Sequence, residues 1–297
     1  MGLIKVVKEL WRAFFFLCSP QFWRMALLWT FSILYSYYQL FKPLIHEKCS
    51  LFSHKLVSYP RCSPFTTTFK PVCVITGYVW SRISCCLSTF QGRIFCCAWM
   101  IGTNYIGAFA LTKLLLPLLE SSPVSSKIVN VSSFTHRAVT DVQVDEGTVS
   151  GKRFFRSIQY PCAHIYEYSK LCLILFSYEL HRQLCLMGKS HQIFVTVADP
   201  GVVQTNLMQE VPAILSWLAL YVLKRLQLLQ SPDCGVDSII DAALAPPGTS
   251  GAYFFGGKGR TLNPSPLSRN AKLARELWES TSKLLSVTPF GAEGNSW

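Results

Sequence analysis

Negative charge is scarce in this chain of 297 residues. Sixteen aspartates and glutamates stand against 28 lysines and arginines, and the formal net charge at pH 7 is +12. No acidic residue occurs between Glu47 and Glu120, so that stretch excludes a carboxylate ligand of any kind. Hydrophobic residues make up 50% of the chain and charged residues only 15%, which is apolar for a soluble protein.

Cysteine motifs for metal or redox chemistry are also missing. The chain has 12 cysteines but no Cys-x-x-Cys, and four of them lie in adjacent pairs at 85–86 and 96–97. The six histidines have no ligand spacing relative to cysteines or acids. The sequence therefore predicts no metal site, and it favours ordinary thiols in a reducing compartment.

Glycine is missing after the first predicted strand. The apolar run 72–75 ends in Thr76-Gly77, which is typical of a buried parallel strand entering a tight turn. A dinucleotide-binding turn needs several glycines close together, because the backbone must approach a pyrophosphate at a helix N-terminus. The next glycine here is Gly92, so the turn that such a strand normally presents is absent.

The N-terminal part is basic and apolar. Residues 1–70 contain nine lysines and arginines but only two acids, which fits an anionic membrane surface; the segment is too apolar for a typical nucleic-acid-binding arm. Its charge-free run from Met25 to Phe41 is close to the shortest length that spans a membrane. We expect a membrane-associated helix there, and the alternative is a hydrophobic helix packed against the domain.

From residue 103 onward, apolar strands alternate with helices, which predicts an α/β domain with a parallel sheet. The predicted strands are 127–133, 192–199 and 252–255. The predicted helices are 103–119 (interrupted near Pro117), 166–183, 211–223 and the amphipathic closing helix 267–285.

Chemically useful side chains lie on three of these elements. Tyr166 and Lys170 are four residues apart on one predicted helix and so share a face, where the ammonium would lower the pKa of the phenol. Ser133 follows a strand, and Asn104 begins a helix. The loop from Asp199 through Thr205 leaves another strand end, where open α/β sheets bind ligands.

Together these residues resemble the short-chain dehydrogenase/reductase family. Asn104, Ser133, Tyr166 and Lys170 match its catalytic tetrad, and the stretches TNYIGAF, NVSSFTHR, YEYSK and ADPGVVQTNLM are similar to a plant membrane-associated branch of it. The resemblance implies that Tyr166 exchanges the proton, with Lys170 lowering its pKa and holding the nicotinamide ribose. It also implies that Ser133 polarises the reacting oxygen and that Asn104 completes a proton relay.

The resemblance further implies a cofactor, NAD or NADP. Its binding residues would be Thr76, Gly77 and Lys170, together with the nicotinamide-side residues Pro200, Gly201 and Thr205. The implied fold is a Rossmann-like, doubly wound parallel sheet that is incomplete, since the 26 residues between positions 77 and 104 hold only about one βα unit. The acid-free stretch also offers no carboxylate for the ribose.

A shift of reading frame is our hypothesis for the missing half. With suitable codons, reading one base later from Gly77 gives Ala-Thr-Ser-Gly-Leu-Gly, which completes the family's glycine-rich turn, and the family pattern resumes at TNYIGAF. Two hypotheses follow. Either the gene encodes an intact oxidoreductase whose cofactor half is misreported here, or the chain is a non-catalytic remnant that binds no cofactor.

The expected organisation is a membrane anchor with a basic linker over 1–69 and a truncated Rossmann-like domain over 70–297. We expect the oxidoreductase to act on a lipophilic alcohol or carbonyl at an endomembrane such as the endoplasmic reticulum, with its domain on a reducing side. No nucleic-acid partner is expected, and the sequence leaves a homo-oligomer open.

Overall fold

The computed structural model describes residues 2–46, 58–61, 100–149, 161–204 and 211–286. Its α-helices are α1 (Gly2–Leu17), α2 (Pro20–His46), α3 (Gly107–Glu120), α4 (Glu146–Val149), α5 (Pro161–Leu186), α6 (Ala213–Arg225), α7 (Pro232–Leu244) and α8 (Ala271–Ser286). Its strands are β1 (Ser126–Val131), β2 (Ile193–Asp199), β3 (Val202–Val203), β4 (Leu229–Gln230) and β5 (Tyr253–Phe255). A π-helical segment, Gly102–Ile106, precedes α3, and 3₁₀ turns cover Phe134–Ala138 and Pro266–Arg269.

The central sheet is parallel, with strand order β1-β2-β5 among the described residues. Every residue of β2 is buried, as expected for a strand of a parallel sheet that is covered on both faces. Ile193 and Val195 of β2 belong to the core formed with α5 and α8, whereas Ala198 packs with Ala242 of α7. The predicted α/β class with a parallel sheet is therefore confirmed, while the strand predicted at 72–75 lies outside the described residues.

Helix α3 runs through Pro117 instead of being interrupted there. The predicted break was wrong because proline removes one backbone donor and strains the turn before it, and here it lies in the last turn of the helix. The bond from the Ser121 amide to the Pro117 carbonyl, 3.0 Å long, continues the pattern at the helix end.

Helix α2 packs against the α/β domain along one side. Ile33 and Leu40 are 1% exposed and share a core cluster with Ile174 of α5 and Val197 of β2. On another side, Leu27 and Phe31 are exposed. The predicted membrane-spanning helix is not confirmed: none of the helices in the described part of the chain combines the length and hydropathy needed to cross a bilayer.

Candidate active site

The site lies where β1 and β2 end side by side. Val131, the last residue of β1, is opposite Ala198, and the Ser132 amide extends the ladder with a 2.8 Å bond to the Ala198 carbonyl. The chain after β1 therefore places Ser133 at the same sheet edge as Asp199, the last residue of β2. Carboxyl ends of parallel strands are where open α/β sheets bind ligands.

Helix α5 brings Tyr166 and Lys170 to this edge. The Tyr166 hydroxyl lies near Ser133, whose side chain favours the phenolate. The Lys170 ammonium lies 5.5 Å from the centre of the Tyr166 ring and donates a 2.9 Å hydrogen bond to the Val131 carbonyl. Three of the four predicted tetrad residues are thus in one cluster, because β1 and α5 pack against each other.

Burial dominates the electrostatics of this cluster. It raises the pKa of Tyr166 to about 12, although the Ser133 side chain acts in the opposite direction. Burial also lowers the pKa of Lys170 to about 8, and the charge of Asp199 partly offsets this. The sequence predicted that Lys170 lowers the pKa of Tyr166; the net direction is upward, because desolvation penalises the phenolate more than its surroundings favour it.

Asn104 reaches α5 through an intermediate hydroxyl. It lies in the π-helical segment, a geometry that is frequent at functional sites. Its side-chain amide donates a 3.1 Å hydrogen bond to Ser169 Oγ, which in turn donates 2.8 Å to the Tyr166 carbonyl. Ser169, next to Lys170, was not among the predicted residues, and no spacing rule identifies it.

The loop after β2 is shaped by Asp199 and Gly201. The Asp199 carboxylate accepts hydrogen bonds from the Gly201 amide at 2.8 Å and from the Tyr253 hydroxyl at 2.7 Å. Gly201 has φ +74°, and a Cβ there would lie 3.2 Å from Gln230 Nε2, so glycine is required at this turn. Pro200 precedes it, whereas the predicted cofactor residues Thr205, Thr76 and Gly77 lie outside the described residues.

His136 supports Ser133, although the sequence analysis did not identify it. The Ser265 amide donates to His136 Nε2 at 3.0 Å, which assigns the ring proton to Nδ1, and Nδ1 donates to the Ser133 carbonyl at 2.6 Å. The imidazole is fully buried, and burial lowers its pKa to about 3. A neutral histidine therefore fixes the backbone that presents the Ser133 hydroxyl.

We expect His136→Phe to lower the free energy of unfolding by about 2–4 kcal/mol, because it leaves the Ser265 amide without its partner and removes the imidazole bond to the Ser133 carbonyl, which keeps only the bond from the His136 amide. The pH dependence gives a second signature. Since the folded pKa lies below the ordinary value, the unfolded chain binds the extra proton, and wild-type stability falls as pH drops below about 6.5. Denaturant unfolding at pH 7 and pH 5 should show that the free energy of unfolding decreases less between these pH values in the variant than in wild type.

The exposed His191 provides the control for that experiment. His191→Phe should leave the free energy of unfolding within about 0.5 kcal/mol of wild type. Equal effects of the two substitutions would contradict a supporting role for His136.

Comparison with known proteins gives relatives that are named dehydrogenases. The chain is 34% identical to human polyprenol dehydrogenase over 199 residues, which cover 63% of this chain and 54% of that protein. It is 32% identical to mouse retinol dehydrogenase 14 over 188 residues, covering 63% and 52%. The chain thus spans about half the length of the curated relatives it matches, and no protein-family profile matches it.

Among solved structures, an uncharacterised protein from Mycobacterium paratuberculosis is 28% identical, with 62% of this chain and 57% of that chain covered; the TM-score is 0.43, too low to bear on the fold. The relatives given above are animal proteins, so the similarity to a plant branch stays a prediction. The predicted resemblance to the short-chain dehydrogenase/reductase family, in contrast, is confirmed as a resemblance: the chain is similar to proteins named polyprenol dehydrogenase and retinol dehydrogenase.

Proposed function

We propose that the gene for this chain encodes a membrane-associated short-chain oxidoreductase that uses NAD or NADP on a lipophilic alcohol or carbonyl. The observation that supports this most directly is the cluster of Tyr166, Ser133 and the Lys170 ammonium, which lies 5.5 Å from the Tyr166 ring centre, at the carboxyl edge of a parallel sheet. The relatives' names, polyprenol and retinol dehydrogenase, refer to lipophilic alcohols. The proposed fold is the Rossmann-like, doubly wound sheet, of which the described strands form one part.

The residues present fit the nicotinamide side of the cofactor. Lys170 presents a partly buried ammonium with a single backbone hydrogen bond, so it has donors left for ribose hydroxyls. The turn at Pro200-Gly201 lies at the same sheet edge, and both residues are only partly buried. When bound, a nicotinamide ring would accept or supply the hydride.

The protein's own residues would handle the proton and orient the substrate. In oxidation, Tyr166 Oη takes the proton from the alcohol; in reduction, the same atom gives it to the carbonyl oxygen. Ser133, whose side chain lies near that hydroxyl, orients the reacting oxygen. Asn104 acts through Ser169 on the helix backbone at Tyr166.

Membrane association is part of the proposal. Helices α1 and α2 expose large apolar side chains, among them Trp11, Phe15 and Phe31, at exposed fractions of 59%, 65% and 66%. Basic residues accompany them, as at the exposed Lys8 and Lys42, which suits an anionic interface. An endomembrane such as the endoplasmic reticulum would supply the substrate, and no nucleic acid is needed.

The alternative is a non-catalytic remnant, favoured by the missing glycine-rich turn after Gly77. Turnover separates the two. The protein expressed from its natural transcript, reconstituted in anionic vesicles, should produce NAD(P)H at 340 nm with all-trans-retinol or a C20 isoprenoid alcohol. It should do so far less with cyclohexanol, the water-soluble control. Cofactor binding without any alcohol-dependent signal would overturn the proposed function.

A further inference from the structure

Glu167 is a buried junction between the N-terminal helix α2 and the helix α5 that holds Tyr166. Its side chain is fully buried, yet its carboxylate has two partners on α2. Arg24 Nη2 donates to Oε2 at 3.0 Å, and Trp29 Nε1 donates to Oε1 at 2.6 Å. His164 Nδ1 lies 3.8 Å from Oε2. A buried carboxylate is costly unless it is paired and hydrogen-bonded, so these contacts fix α2 on α5 next to the site.

The bond to Glu167 also fixes the Trp29 indole beside the catalytic phenol. The centres of the Trp29 and Tyr166 rings are 6.0 Å apart, with an angle of 49° between the ring planes. Both residues are only partly buried, so each keeps some accessible surface. Trp29 is therefore an apolar neighbour of the residue that would exchange the proton.

Helix α2 connects this neighbour to the exposed apolar surface. Leu27 and Phe31, two residues before and after Trp29, are 54% and 66% exposed. Residues two apart on an α-helix lie on nearly opposite sides. One helix thus has an apolar outer side and an inner side that contacts the site.

We propose that α2 is a wall of the substrate site, with Trp29 as a specificity residue that contacts the hydrocarbon chain of a lipophilic alcohol and with Glu167 and Arg24 as positioning residues. The inference rests on the proposed function, whose relatives' names indicate long apolar alcohols. The alcohol would enter beside the exposed side of α2 and place its hydroxyl at Tyr166. A purely structural link between α2 and α5 makes a different prediction, since it needs the Glu167 contacts but no contact between Trp29 and ligand.

Binding of all-trans-retinol, followed by the rise in retinol fluorescence in detergent, tests the proposal without turnover. We expect Trp29→Ala to weaken binding at least about tenfold, because it removes the aromatic surface. Trp29→Phe keeps a ring without the N–H and should retain most of the affinity. Trp217→Ala, a control on α6 whose side chain is 66% exposed, should bind like wild type. Circular dichroism and denaturant midpoints verify that each variant is folded.

Three results would contradict the proposal that α2 lines the substrate site through Trp29. Trp29→Ala could bind retinol as tightly as wild type, it could bind more tightly, which would make Trp29 a plug, or wild type could bind no retinol. Glu167→Gln separates positioning from folding: the amide oxygen still accepts from Trp29 while the ion pair with Arg24 is lost, so affinity should fall less than in Trp29→Ala. An unchanged affinity together with an unchanged unfolding midpoint would remove Glu167 from the proposal.

Turnover tells failure of this inference apart from failure of the proposed function. Retinol binding that depends on Trp29, without NAD(P)-dependent oxidation, would support the role of α2 in the substrate site and contradict the proposed oxidoreductase function. Retinol oxidation with the same KM in wild type and Trp29→Ala would support the proposed oxidoreductase function and contradict the role of α2 in the substrate site.

Discussion

Protein translated from the sequence as written is expected to bind no NADPH at millimolar concentration, whereas a transcript that restores the frame after Gly77 should give micromolar binding. The written chain has one glycine, Gly92, between Gly77 and Gly102, and no acid between Glu47 and Glu120. A backbone cradle for the pyrophosphate and a carboxylate for the ribose are therefore both missing. Recovering micromolar affinity corresponds to about 8 kcal/mol of binding free energy.

The measurement combines transcript sequencing across codons 70–105 with NADPH titration of both proteins. If one base converts the segment after Ile75-Thr76-Gly77 to Ala-Thr-Ser-Gly-Leu-Gly and further exons supply the missing strands, the remnant hypothesis loses its basis. A matched control replaces the first restored glycine with valine, which should remove binding again because a Cβ blocks the approach of the phosphates. Micromolar binding by the written chain would contradict the prediction directly.

Local sequence patterns were enough to find the parallel sheet and the residues next to it. Ser133, Tyr166 and Lys170 come together because strand ends and helix faces follow from periodicity, and their resemblance to a family motif assigns them a role. Helix continuation through Pro117 was missed, since a proline near a helix end breaks too few bonds to stop the helix.

Contacts between distant parts of the chain were not predictable in this way. Glu167 bonds to Trp29 and Arg24 across 138 and 143 positions, and no motif links those segments. Hydropathy also suggested a membrane span over Met25–Phe41, yet the same apolar residues fill a protein core at Ile33. Transfer into lipid and transfer into a protein interior both remove apolar surface from water, so hydropathy alone does not separate them.

The direction of the Tyr166 pKa was missed for a related reason. An ammonium four residues away on a helix predicts a lower pKa, but this rule ignores desolvation, which depends on everything packed around the pair. Burial changes the pKa of each partner toward its neutral form, upward for Tyr166 and downward for Lys170. These opposite pKa shifts of Tyr166 and Lys170 determine how kcat/KM should depend on pH.

Removing the Tyr166 hydroxyl is expected to lower kcat/KM for alcohol oxidation by about 10²–10⁴-fold, the usual contribution of a positioned acid or base. Tyr166→Phe keeps the ring against Trp29, so retinol binding should persist while turnover disappears. Tyr168→Phe makes the same chemical change two residues along α5, in the buried core, and should leave kcat/KM near wild type.

The pH profile tests the same assignment with the sign worked out. Oxidation needs the phenolate, whose fraction rises about tenfold per pH unit below the Tyr166 pKa of about 12. It also needs the Lys170 ammonium, whose fraction declines above its pKa of about 8. We therefore expect kcat/KM to rise up to about pH 8 and then level off, because the two dependences cancel. Lys170→Met should abolish the levelling, and a wild-type profile that is flat from pH 6 to pH 8 would remove Tyr166 from the role of base.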